Sequence, residues 1–128
     1  MNCWTSEWIA KAEGDWLVSQ RELAVLTNPI YDAVCFHAQQ CAEKYLKARL
    51  AEAEREIPRI HDLNILLERL ADLGPDWTVL AADANLLTSA AVEVRYPGHQ
   101  ATYQEAEQAV AAASRVRQAV RAALGLDA

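Results

Sequence analysis

The sequence predicts an all-α fold, an up-and-down bundle of four to five antiparallel helices. Apolar residues recur at helical spacing along most of the chain. Hydrophobic residues make up 52% of the 128 residues, which excludes disorder. Gly and Pro number only four each, too few for the frequent turns of a β-sandwich or barrel. A chain of this length can bury its own core, so we expect a single helical domain over residues 1–128.

The first predicted helix runs from about Thr5 to Leu26. Its apolar stripe consists of Trp4, Trp8, Ala12, Trp16, Leu23 and Leu26. Three tryptophans on one stripe could stack on nucleic-acid bases, but alanine and leucine continue the stripe. The pattern therefore favours packing of the tryptophans in the core.

The second predicted helix begins at Asn28-Pro29, a good N-cap followed by a residue that suits the first turn, and ends near Ala53. Its apolar face is broad, which is typical of the central helix of a bundle. Its more polar side carries Gln39, Gln40, Glu43 and Lys44. Glu43 and Lys47 form an i,i+4 pair, worth a few tenths of a kcal/mol on a helix surface.

Three further helices follow. The third runs from His61 or Asp62 to Leu73 and is stopped by Gly74-Pro75. The fourth runs from Asp76 to about Val94, after which Arg95–His99 forms a polar break. The fifth starts at the capping box of Thr102 and Glu105 and runs to Leu124, with Gly125 at the C′ position.

Charge and cysteine usage limit the function. The net charge is −6, which argues against a general electrostatic grip on nucleic acid but permits a local basic site. Three cysteines without a CxxC motif, and no secretory signal, favour a reducing cytoplasmic setting. No apolar run reaches the ~18 residues that a bilayer requires, so no membrane association is expected. The motifs of common cofactor sites are missing, so we expect no cofactor.

The segment Arg95–His99 is the most suggestive part of the sequence, since it places a guanidinium, a phenol and an imidazole within one loop. An arginine can bind a phosphate bidentately and a histidine can transfer protons near neutral pH, which is what metal-free phosphodiester cleavage needs. The structural alternative is a turn in which Arg95 pairs with a carboxylate such as Glu93. His37 and His61 come from other segments and favour structural roles, so no metal site is predicted.

Four segments carry a resemblance to a known family. They are YDAVCFHAQQCAEKYLKA at 31–48, residues 58–63 with His61-Asp62-Leu63, Arg95-Tyr96-Pro97, and the start of the last helix at 102–106. In this order they resemble the HEPN domain, a small α-helical family, over nearly the whole chain. The resemblance implies a dimer, often encoded beside a minimal nucleotidyltransferase in a toxin–antitoxin pair.

Active HEPN domains cut RNA without metal, with an arginine followed after four to six residues by a histidine at the dimer interface. Arg95 and His99 occupy these positions but are separated by three residues. The resemblance therefore implies first a homodimeric component that binds a nucleotide, RNA or a nucleotidyltransferase partner. The binding residues it suggests are Arg95, Tyr96, His37, Lys44 and His61. The alternatives are a metal-independent endoribonuclease with Arg95 and His99 as catalytic residues, and a non-enzymatic helical scaffold.

Overall fold

The computed structural model describes residues 1–128 and consists of helices without any strand, which confirms the predicted fold class. Its α-helices are α1 (Cys3–Leu23), α2 (Tyr31–Glu52), α3 (Leu63–Arg69), α4 (Ala81–Glu93) and α5 (Tyr103–Ala123). A short 3-10 helix, Trp77–Leu80, leads into α4. None of the helices combines the length and apolar character that crossing a bilayer requires.

The four long helices, α1, α2, α4 and α5, alternate in direction along the chain. The start of α1 meets the end of α2, where the Asn2 side chain donates to the Ala51 carbonyl at 2.8 Å. The start of α4 meets the second half of α5 through Asp83 and Arg115. Helices α2 and α5 consequently run parallel, and the Ala101 amide before α5 donates to Asp32 in the first turn of α2.

Helix α2 is the centre of the bundle, because it contacts each of the other α-helices. One apolar core draws residues from every helix. Alanines form much of the buried face of α2 and α5, and short side chains let two helix backbones approach closely. The fully buried alanines of these two helices are Ala38, Ala42, Ala48, Ala106, Ala109, Ala112 and Ala113. Cys35 and Cys41 are also buried.

The predicted helix boundaries agree with the structure where a capping residue sets the boundary. Thr102 and Glu105 form the reciprocal capping box, and Asp62 caps α3 by accepting from the Asn64 amide at 2.9 Å. Gly125 adopts φ +73°, the left-handed geometry expected at C′. Helix α1 ends at Leu23 and α3 at Arg69, several residues before the predicted ends.

Two helix starts differ from the predictions. Helix α2 begins at Tyr31 rather than at Asn28, whose φ of 52° lies in the left-handed region that asparagine tolerates. Asn28 thus turns the chain, and the Ile30 amide is satisfied by the Glu22 carboxylate at 2.8 Å. Asp76 does act as a cap, but of the 3-10 helix, so the α-helical part of the fourth segment starts five residues later at Ala81.

The prediction that the tryptophan stripe packs in the core is wrong for Trp4, which is 66% exposed, while Trp16 is buried. Four residues advance a helix by about 400°, so a strict i+4 series drifts by about 40° at each step. Trp4 and Trp16 therefore point about 120° apart. Leu26, the last member of the stripe, lies beyond α1 and is 98% exposed.

Candidate functional site

A small pocket of about 120 Å³ lies beside the C-terminal end of α4. We call it the Arg95 pocket. It is lined by Gln39 of α2, His61 and Asp62 before α3, Thr88, Ala91 and Val92 of α4, and Arg95. The pocket brings together Arg95 and His61, two of the residues that the sequence analysis suggested for binding.

Glu43 anchors one wall of the Arg95 pocket from inside the bundle. Its Oε1 atom lies 2.9 Å from His61 Nδ1 and accepts from Gln39 Nε2 at 3.2 Å. Its Oε2 atom accepts from Lys47 Nζ at 3.1 Å. Gln39 also donates to the His61 carbonyl at 3.2 Å, so α2 holds both the ring and the backbone of His61.

Gln39 and Glu43, which the sequence analysis placed on the more polar side of α2, are buried in this network. Glu43 is only 4% exposed and Lys47 only 6%, and Gln39 is fully buried. The segment that leads into α3 contacts Gln39 and Glu43 through His61, which is 18 residues from Glu43 in sequence. The ring centroid of Trp8 in α1 lies 5.7 Å from Lys47 Nζ. Buried charges of this kind persist only when they are paired, as these are.

Arg95 supplies the free cation of the pocket. It is exposed, and its guanidinium forms no ion pair or hydrogen bond within the chain. The alternative pairing with Glu93 is not present, because that carboxylate faces His99 instead. Behind Arg95, the Thr88 hydroxyl is buried without a hydrogen-bond partner.

The acceptors and donors left over define what the Arg95 pocket can hold. His61 is 67% exposed and engages only Nδ1, so Nε2 is available to a ligand. Asp62 is the one carboxylate of the lining, and its Oδ1 already caps α3. An arginine guanidinium and an imidazole nitrogen together suit an anionic oxygen, such as that of a phosphate.

His99 lies outside the lining of the Arg95 pocket. Its Nε2 atom is 3.5 Å from Glu93 Oε2 and 3.3 Å from Glu105 Oε2. The Thr102 backbone N–H, which donates to Glu105 at 3.0 Å, is the main reason why the pKa of Glu105 is lowered. Arg95 and His99, the two residues predicted as catalytic, therefore have different surroundings although they lie in the same loop.

The other three residues suggested for binding, His37, Lys44 and Tyr96, lie outside the Arg95 pocket. His37 Nδ1 lies 2.7 Å from one oxygen of Asp15, and Lys44 donates to the other oxygen at 2.6 Å. Asp15 itself is buried, so α1 supplies the acceptor that occupies both side chains. Tyr96 is exposed and lies outside the lining of the Arg95 pocket.

Two of the three arginines on α5, Arg115 and Arg117, form ion pairs with carboxylates of other helices. Arg115 contacts Asp83 at 2.9 Å, and Arg117 binds Glu13 through two hydrogen bonds of 2.8 Å. The hydrogen bond from Arg117 is the largest cause that lowers the pKa of Glu13, and the same contact raises the pKa of Arg117. Burial and a hydrogen bond to Glu13 raise the pKa of Tyr45 to about 12. The ion pairs of Arg115 and Arg117 therefore stabilise the bundle.

Comparisons with known proteins agree with this architecture. A family model described as the HEPN domain matches residues 5–123. The structure is similar to that of TT1696 from Thermus thermophilus, with a TM-score of 0.82 and 23% identity over 93% of this chain and 97% of that one. It is also similar to ST0689, an archaeal HEPN homologue, with a TM-score of 0.73 and 25% identity over 92% of this chain and 95% of that one. A search of curated proteins gave no match.

Proposed function

This chain belongs to the HEPN domain family, and from that premise we propose that it binds a phosphate group of RNA or of a nucleotide in the Arg95 pocket. The observation that carries the proposal is the unpaired guanidinium of Arg95 in a pocket shared with His61. An exposed arginine without a carboxylate partner keeps its full capacity for an external anion.

The two side chains would have different tasks. The planar guanidinium of Arg95 would donate two parallel hydrogen bonds to phosphate oxygens. His61 would add a third from Nε2 when its ring carries both protons, because Glu43 already occupies Nδ1. Glu43 would act as a positioning residue that fixes the plane of the ring without touching the ligand.

The charge distribution favours a small ligand or a short segment of RNA. The chain carries a net charge of −6, and two of the three arginines of α5, Arg115 and Arg117, are paired with Asp83 and Glu13. Arg95 is also the only lysine or arginine that lines the pocket. Salt dependence should accordingly be shallow, with a slope of about −0.7 for each phosphate contacted in a single strand.

Fluorescence anisotropy of a short, end-labelled single-stranded RNA, measured at several salt concentrations, tests this proposal. We expect Arg95→Ala to weaken binding by about tenfold or more and to reduce the salt slope by about 0.7, the value for one lost phosphate contact. Arg69→Ala is the matched control, because Arg69 is exposed on α3 and lies outside the pocket. Equal losses in the two variants would contradict the proposal.

Assembly is a further part of the proposed function. The family resemblance supports a homodimer that pairs with a minimal nucleotidyltransferase in a toxin–antitoxin-like system. Val92 in the pocket lining and Tyr96 in the loop after α4 are exposed large hydrophobic residues that could contact a second protomer. Light scattering would measure the oligomeric state, and co-purification would test the partner. A monomer that does not associate with a neighbouring gene's nucleotidyltransferase would overturn this part.

The alternative proposal is a metal-independent endoribonuclease. It is supported by His99, which shares the loop with Arg95 and has its ring flanked by Glu93 and Glu105. Arg95 would then bind the scissile phosphate and His99 would transfer the proton, with the two residues meeting across a dimer interface. RNA cleavage in the presence of EDTA should disappear in both Arg95→Ala and His99→Ala. If both variants cut like the parent, these roles are wrong. Absence of both binding and cleavage would favour the helical scaffold.

A further inference from the structure

A second polar cluster joins the end of α4 to the start of α5, and we call it the junction site. It consists of Glu93 at the end of α4, His99 in the loop and Glu105 in the first turn of α5. One ligand atom from each residue lies within 4.8 Å of the other two. The three side chains are between 40% and 54% exposed, so ions in solution can reach them.

From this geometry we propose that the junction site binds a divalent transition-metal ion, with Zn²⁺ as the best fit. Zinc bonds of about 2.0–2.1 Å in a tetrahedron place neighbouring ligand atoms about 3.3 Å apart. His99 Nε2 lies 3.3 Å from Glu105 Oε2 and 3.5 Å from Glu93 Oε2. Two of the three distances between ligand atoms thus already match a tetrahedral zinc site, and the third, between the two carboxylate oxygens, is within 4.8 Å.

The donor set selects the metal. One imidazole nitrogen and two carboxylate oxygens suit Zn²⁺, whereas Mg²⁺ and Ca²⁺ prefer sites built from oxygen alone. Three protein ligands leave a fourth position for water. Glu105 Oε1 accepts the Thr102 backbone N–H, which orients the carboxylate and leaves Oε2 for the metal.

Binding at the junction site has a consequence for the loop. The metal would use the lone pair of His99 Nε2, so His99 could no longer accept a proton. The bound metal would also cross-link the last turn of α4 to the first turn of α5, and these turns flank the loop that contains Arg95. Metal binding does not depend on RNA binding, because the metal ligands are not part of the lining of the Arg95 pocket.

Calorimetric titration of Zn²⁺ alone is the direct test. Cys3 is an exposed thiol that can also bind zinc, so the titration uses a Cys3→Ser background. We expect one equivalent of Zn²⁺ to bind, with affinity reduced by about tenfold or more in His99→Gln and in Glu93→Gln, since even outer-shell partners change metal affinity by about 10–100-fold. Glu107→Gln, which changes an exposed carboxylate on α5 outside the cluster, is the control and should bind as the parent does.

Co²⁺ gives a second readout that does not depend on enzymatic activity. Four-coordinate Co²⁺ at the junction site should show intense visible absorption without a thiolate charge-transfer band, and His99→Gln should remove it. The competing explanation is a protonated His99 that forms ion pairs with both carboxylates and holds no metal. No zinc binding, or zinc binding that His99→Gln and Glu93→Gln leave unchanged while the variants remain helical by circular dichroism, would overturn the inference.

Discussion

Removing the Glu43 carboxylate should be among the most destabilising single changes on α2. Glu43→Ala leaves Lys47 buried without its counter-charge and removes acceptors from Gln39 and His61. Breaking a buried ion pair on one side typically costs about 3–5 kcal/mol. For a chain of this length that loss corresponds to a decrease of roughly 10–20 °C in Tm.

Urea denaturation at pH 7, followed by circular dichroism, measures this cost. The exposed Glu68 on α3 gives the control, since Glu68→Ala should change the free energy of unfolding by less than about 0.5 kcal/mol. The double variant Glu43→Leu/Lys47→Met should be less destabilised than Glu43→Ala, because replacing both charges removes the unpaired ion. Lys47 also lies 5.7 Å from the ring centroid of Trp8, a contact that the double variant loses. If Glu43→Ala lowers the free energy of unfolding by less than about 1 kcal/mol, the reasoning is refuted, because a solvent-screened pair contributes no more than that.

Two further predictions concern α1 and α5. The pKa of Glu13 is lowered from its usual value of 4.5, so its pairing with Arg117 stabilises the fold above about that pH, and this stability is lost as pH falls through the folded pKa. Acid titration of the unfolding midpoint should show a smaller decrease below that pH for Glu13→Gln, and an unchanged acid dependence would contradict the assignment. Thr102→Ala should destabilise α5 by about 1 kcal/mol, because it removes the acceptor of the Glu105 amide. Thermal unfolding measures this loss, and no change in Tm would mean that the capping box contributes nothing.

The features predicted correctly from sequence are those that neighbouring residues decide. Thr102 and Glu105 cap α5 through contacts three residues apart, so their pattern is sufficient. Asn28 failed as an N-cap because asparagine serves equally well in a left-handed turn, and the position of the Glu22 carboxylate favours that turn. Local composition cannot distinguish the two uses.

The candidate site was only partly predictable, for the same physical reason. Arg95 and His99 are visible as a loop with suitable chemistry, and His61 belongs to a recognisable segment. The partners that set their roles come from elsewhere in the chain: Glu43 for His61, and Glu105 for His99. Glu105 was already explained as a capping residue, so nothing in the sequence suggested a second contact for its other oxygen.

The central claim, phosphate recognition in the Arg95 pocket, is tested most directly by nuclear magnetic resonance. Uridine monophosphate is titrated into the isotope-labelled protein while the side-chain signals of Arg95 and His61 are followed. We expect saturable shifts of the Arg95 Nε–H and the His61 ring, and loss of the His61 shifts in Arg95→Ala. Shifts confined to Lys44 and His37, or no saturable shift at the Arg95 pocket with either the nucleotide or a short RNA, would contradict the claim.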